Sequence, residues 1–205
     1  MGRTLIEIMK KNPIIAAVKS EEGLQNALSS KCAIIFVLYG NILNLPSIVT
    51  RIHQADKIAI VHFDLIEGAS GKEIVVDFVK NAARADGIIS AKAAILKAAK
   101  NRRLFTIHRF FLIDSMSFNS LPKQYANSQA DVIEIMPGCI IPKVLKWVGD
   151  MMRLPMIASG LVCESEEART ALKAGAVAIS TSSPEVWEEM NSGQGPPPMP
   201  RQRPV

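Results

Sequence analysis

A chain of 205 residues, 48% hydrophobic and 21% charged, is long enough to bury one sizeable core and too apolar for general disorder. No apolar run approaches the ~18 residues that span a bilayer. Glu7 interrupts any signal-peptide core, the three widely spaced cysteines Cys32, Cys139 and Cys163 make neither a disulfide framework nor a metal knuckle, and the net charge of +5 fits an anionic partner without naming one. A cytoplasmic protein with reduced thiols, no metal and no membrane segment is expected.

Residues 1–12 predict a short helix covering the bottom of the fold. From there two patterns alternate. Short β-branched apolar runs at 14–18, 33–38, 58–63, 87–89, 104–107, 132–135, 156–158 and 177–179 read as buried parallel strands. Amphipathic segments at 20–28, 47–55, 72–83, 93–100, 142–152 and 164–174 read as helices between them. Ser165 is expected to cap one helix, which closes on Lys173-Ala174-Gly175, and Ser182-Ser183-Pro184-Glu185 to open the last. Eight such alternations with short connections predict an α/β fold of the TIM type, a (β/α)8 barrel in a single compact domain. It occupies residues 1–190. Residues 191–205, dominated by proline, glycine and glutamine, predict a disordered tail.

Strand side chains in a barrel alternate between the interior and the surrounding helices. Polar residues that continue the interior set at a strand's C-terminal end therefore converge on one mouth. That order recurs in five strands: Ile15, Ala17, Lys19; Ile58, Ile60, His62, Asp64; Ile88, Ser90, Lys92; Phe105, Ile107, Arg109; and Val132, Glu134. Individually, Lys19 and Lys92 also fit a solvated rim, Asp64 and Arg109 a structural pair, Glu134 a counter-ion and His62 a hydrogen-bonded core histidine. The seventh and eighth strands end instead in Ser159-Gly160-Leu161 and Ser180-Thr181-Ser182-Ser183-Pro184. Glycine admits close approach of an anion, and hydroxyls with a helix start donate to it, so a small phosphorylated ligand is expected there. Between Gly87 and Ile113 there is no acid, and Lys97, Lys100, Arg102 and Arg103 form a candidate RNA-binding patch. No aromatic platform accompanies it.

The stretches Val61-His62-Phe63-Asp64-Leu65-Ile66-Glu67-Gly68, Asp86-Gly87-Ile88-Ile89-Ser90, Arg109-Phe110-Phe111-Leu112-Ile113-Asp114-Ser115, Ile133-Glu134-Ile135-Met136-Pro137-Gly138 and Ile179-Ser180-Thr181-Ser182 resemble, in this order, the glycerol-3-phosphate-responsive antiterminator of bacterial glycerol uptake operons. The resemblance covers residues 5–190. It implies a regulator with glycerol 3-phosphate as effector, no cofactor, and leader mRNA as partner; self-association stays open. On this reading Gly160, Leu161, Ser180, Thr181 and Ser182 hold the phosphate. Asp64 and Glu134 accept from the glycerol hydroxyls, and Lys19, Lys92 and Arg109 balance charge. The alternative is a phosphosugar aldolase or isomerase, with Lys92 forming a Schiff base and Glu134 as acid–base.

Overall fold

The computed structural model describes residues 2–126, 128–148 and 154–192; the expected tail, from residue 193 on, lies outside them. Eight parallel strands close into a barrel in chain order: β1 (Ile14–Val18), β2 (Ile34–Val37), β3 (Ile58–His62), β4 (Gly87–Ser90), β5 (Phe105–Phe111), β6 (Val132–Met136), β7 (Met156–Ser159) and β8 (Ala178–Thr181). Closure is made by β1 against β8, with Ile14 opposite Ile179 and Ile15 opposite Ser180. The helices are α1 (Gly2–Lys11), α2 (Glu21–Ser29), α3 (Leu45–Gln54), α4 (Glu73–Asp77, continued by a π-helical turn Phe78–Ala82), α5 (Ala93–Asn101), α6 (Ser115–Ala126), α7 (Ile141–Val148), α8 (Ser165–Lys173) and α9 (Pro184–Asn191).

Alternation along the strands divides the apolar residues into two cores. An inner set fills the barrel: Ile15, Ala17, Phe36, Ile60, Phe105, Ile107, Val132 and Ile157, with Leu5 and Met9 of α1 joining it. An outer set, including Ile35, Val61, Ile88, Ile133 and Ile179, lies among the helices. The expected interior order thus holds on β1, β3, β5 and β6. On β4 it is shifted by one residue: Ile89 joins the inner set and Ile88 the outer. The cause is Gly87, which takes an interior position without a side chain. A Cβ there would lie 2.6 Å from the Phe105 carbonyl oxygen and 2.8 Å from Ile60 Cδ1. The barrel closes tightly here because that position is empty.

Other boundaries also differ. Strand β5 runs to Phe111, so Arg109 is held within the sheet rather than in a loop. Helix α8 starts at Ser165, and the residue before it, Glu164, is the cap. Glu167 Oε2 accepts the backbone N–H groups of Glu164 at 3.1 Å and Cys163 at 2.7 Å, while the Ser165 hydroxyl donates to Glu189 on α9 at 2.6 Å. Helix α6 has no counterpart among the expected helices; its Ser/Asn-rich composition and internal Pro122 dilute helical signals. The C-terminal end of the expected 142–152 helix lies outside the described residues.

Candidate functional site

At the C-terminal ends of the strands lies a cavity of about 290 Å³. Lys19, Arg109, Gly160, Leu161, Ser180, Thr181 and Ser182 all line it, joined by Ser159, Ser183 and Met136. The loop after β7 is shaped for this position. Gly160 has φ +70°, and a Cβ on it would meet Met136 Cε at 2.6 Å. Leu161 follows at φ +53°, a left-handed conformation that is costly for a branched side chain. The Gly160 carbonyl accepts from the Gly138 N–H at 2.8 Å, fixing the turn to the segment after β6. On the other side, Ser183 caps α9, so that the helix N-terminus borders the cavity.

The hydroxyls there are not equivalent. Ser180 is buried and its Oγ has no hydrogen-bond partner among the described residues. Thr181 Oγ1 donates to the Val162 carbonyl at 2.6 Å and accepts the Ser183 N–H at 3.2 Å. Its proton is therefore committed to tying the β7 loop to the end of β8. Thr181 thus lines the cavity with its hydroxyl proton already engaged, whereas the Ser180 hydroxyl has no partner among the described residues.

Inside the barrel, Arg109 Nε donates to Glu134 Oε2 at 2.6 Å. Glu134 Oε1 is buried without a partner among the described residues, as are both ring nitrogens of His62. The expectation of a hydrogen-bonded core histidine is overturned. Burial first, and then the charge of Arg109, hold the His62 imidazole down to about 4, so it is neutral near pH 7. Neither His62 nor Glu134 is part of the cavity's lining; Glu134 adjoins it through Arg109, which is. Together the neutral imidazole and the half-satisfied carboxylate hold one ring N–H donor and two acceptors in reserve beside it.

Asp64 and Lys92 are not brought to this cavity. The chain leaves β3 in a 3₁₀ turn, Phe63–Leu65, which removes Asp64 from the strand's alternation. Its Oδ2 accepts the Ser90 hydroxyl at 2.8 Å and the Ala91 N–H at 3.0 Å, and Lys92 Nζ lies 3.2 Å from its Oδ1. Burial alone would raise the Asp64 carboxyl, but those three partners outweigh it and hold it below the usual range. With Lys92 exposed at 59%, the pair forms a separate rim cluster at the β3–β4 edge.

The acid-free window does not stay acid-free in space. Lys100 pairs with Asp131, and Arg102 grips Asp77 at 2.5 and 2.8 Å with Glu73 at 3.8 Å. These acids come from outside residues 87–113. Lys97 and Arg103 remain exposed, so half of the candidate patch carries compensated charge.

Residues 14–187 match the model of the family described as glycerol-3-phosphate responsive antiterminator. The chain belongs to that family. It is 52% identical over 183 residues, 89% of this chain and 95% of the other, to a protein of Escherichia coli strain K12 named uncharacterized protein YgcP. Among solved structures, the glycerol uptake operon antiterminator regulatory protein of Listeria monocytogenes superposes with a TM-score of 0.81 at 29% identity, covering 85% of this chain and 94% of that one. A glycerol uptake operon antiterminator-related protein of Thermotoga maritima gives 0.77 at 33%, covering 86% and 98%. Membership of the antiterminator family makes a regulatory role the plain reading of the chain, and among its described residues no helix is long and apolar enough to cross a membrane. Within the antiterminator barrel, sequence reasoning named Ser159 in the turn after β7 without counting it among the ligand-holding residues, and it left out the unpaired state of His62. Interior alternation would have found Ser159, two residues after the inner-core Ile157. The missing partners of His62 have no sequence signal.

Proposed function

We propose that this chain senses glycerol 3-phosphate in the strand-end cavity and that the liganded state binds leader mRNA in the cytoplasm, preventing termination. The observation that carries the proposal is Ser180 Oγ, which lines the cavity, together with Glu134 Oε1, which adjoins it through Arg109; both are buried and without partners among the described residues. Buried polar atoms are rarely left unsatisfied without a purpose. In this reading the phosphate sits against the Gly160–Leu161 turn, the Ser180 and Ser182 hydroxyls and the start of α9, with Lys19 supplying charge. The diol reaches Glu134 Oε1 and His62, while Arg109 is held in place by the other carboxylate oxygen. Asp64 and Lys92 act as a rim cluster that shapes the β3–β4 edge.

Calorimetric titration with glycerol 3-phosphate, glycerol and inorganic phosphate tests the first step. Glycerol 3-phosphate should bind tightest, since only it fills both halves. No heat at millimolar glycerol 3-phosphate would remove the sensor. A gel-shift with leader RNA tests the second step, because a ligand shifts a state only by its differential affinity. Equal RNA affinity with and without ligand would remove the switch.

A further inference from the structure

Beside the cavity, on the far side of β5 and β6, lies a face that the ligand-sensing role does not use. Phe118 of α6 and Trp147 of α7 are stacked, with ring centroids 4.1 Å apart and planes 28° from parallel. Lys143 Nζ stands 5.7 Å over the Phe118 ring. Helices α6 and α7 together carry Lys123, Lys143 and Lys146 and no Asp or Glu. Asp114, just before α6, has its carboxylate on the Ser117 N–H at 2.7 Å. A groove of about 240 Å³ opens between Phe118, Lys143, Ile140, Leu112 and Asp114; Ile113, which also lines it, is 85% exposed, and Met116 nearby in α6 is 80% exposed.

We propose that this α6–α7 face is the surface that takes single-stranded leader RNA, with a base stacking on the outer side of the Phe118–Trp147 pair and phosphates meeting Lys143 and Lys146. This rests on the regulatory reading above. An exposed tryptophan face backed by a half-buried phenylalanine, with flanking cations on helices that carry no acid and with the one groove acid, Asp114, engaged by the Ser117 N–H, matches what unpaired nucleotides offer, flat bases on a polyanionic backbone. The paired Lys100 and Arg102 offer neither feature. The two sites are also contiguous: Met136 lines the ligand cavity, and its carbonyl accepts at 2.8 Å from the N–H of Leu112, which lines the groove.

The test uses the full chain saturated with glycerol 3-phosphate and a fluorescein-labelled RNA of the leader upstream of glycerol-uptake genes, read by anisotropy. Trp147→Ala should weaken binding at least ~10-fold, and Trp147→Phe should restore it to within a few-fold. The double variant Lys143→Ala/Lys146→Ala should reduce the slope of log affinity against log salt by about 1.4, at ~0.7 per single-strand phosphate. Lys97→Ala/Arg103→Ala should bind within about twofold of the parent. Calorimetry with glycerol 3-phosphate should be unchanged in each variant, which also shows that it folds. Should Trp147→Ala fail that check, the lysine pair decides. Parent-like RNA binding by the lysine pair and by Trp147→Ala overturns this surface while leaving the regulator intact. A change of oligomeric state in Trp147→Ala with unchanged RNA affinity assigns the face to a second copy and overturns it too. If the liganded parent binds no RNA, the regulatory reading fails and this surface with it.

Discussion

Arg109 Nε lies 2.6 Å from Glu134 Oε2, the two side chains being 5% and 0% exposed, while Oε1 of the same carboxylate meets no partner among the described residues. A buried ion pair does not by itself favour the fold, because desolvation offsets most of its attraction. Removing one partner is a different matter. Arg109→Ala leaves a buried carboxylate unpaired and should cost about 3–5 kcal/mol in urea denaturation. Replacing both, as Arg109→Met/Glu134→Leu, should recover most of that loss yet give no calorimetric heat with glycerol 3-phosphate. Parent-like binding by the double variant would show that the pair serves the barrel alone.

Ser180 and Thr181 are adjacent and chemically similar, and they should respond in opposite ways. Ser180→Ala removes a buried hydroxyl that has no partner among the described residues, so stability should hold or rise slightly while affinity for glycerol 3-phosphate falls about 10- to 100-fold, the range for a hydrogen bond to a charged group. Thr181→Val deprives the Val162 carbonyl of its donor and the Ser183 N–H of its acceptor. It should lose about 1–3 kcal/mol of stability. Denaturation curves beside titrations of both variants separate the roles; a Ser180→Ala protein that binds as tightly as the parent would take Ser180 out of the site.

The contrast between those two residues marks what the sequence makes legible. Period-two alternation on β1, β3, β5 and β6 gave the interior apolar set, Ala17, Ile60, Ile107 and Val132, as it stands in the inner core; of the polar residues that continue it, Lys19 and Arg109 line the cavity, and His62 and Glu134 do not. On β4 the same logic slipped, because Gly87 occupies an interior position with no side chain to reveal it. Asp64 escaped alternation altogether once the chain turned out of β3 into a 3₁₀ turn. The basic stretch misled for another reason: Arg102 and Lys100 meet acids 25 and 31 residues away in sequence, at Asp77 and Asp131. Which hydroxyl is spoken for, and which charge is matched, depends on such distant partners.

Lys92 bears on the enzyme alternative. A Schiff-base lysine needs a desolvated or cation-crowded amine near the bound substrate. Lys92 is instead 59% exposed, 3.2 Å from the Asp64 carboxylate, and outside the cavity lining. Borohydride treatment in the presence of triose phosphates should leave the intact mass unchanged. A reduced adduct located at Lys92 by peptide mapping would reinstate the aldolase.

His62 gives the fold a pH dependence of definite sign. Burial, with the Arg109 charge, lowers its imidazole from 6.5 to about 4. An unfolded chain takes up the proton as pH falls through about 6.5, whereas the folded chain does not until about 4. The contribution is therefore fully present above about pH 6.5 and is lost as pH falls from there toward 4. Between pH 7.5 and 5 this one group should remove about 2 kcal/mol of stability. His62→Leu lacks the titration, so its loss over the same interval should be smaller by that amount in paired urea curves. Equal pH dependence in the two proteins would mean that the folded barrel accepts the proton as readily as water does, and that burial does not hold His62 neutral below pH 6.5.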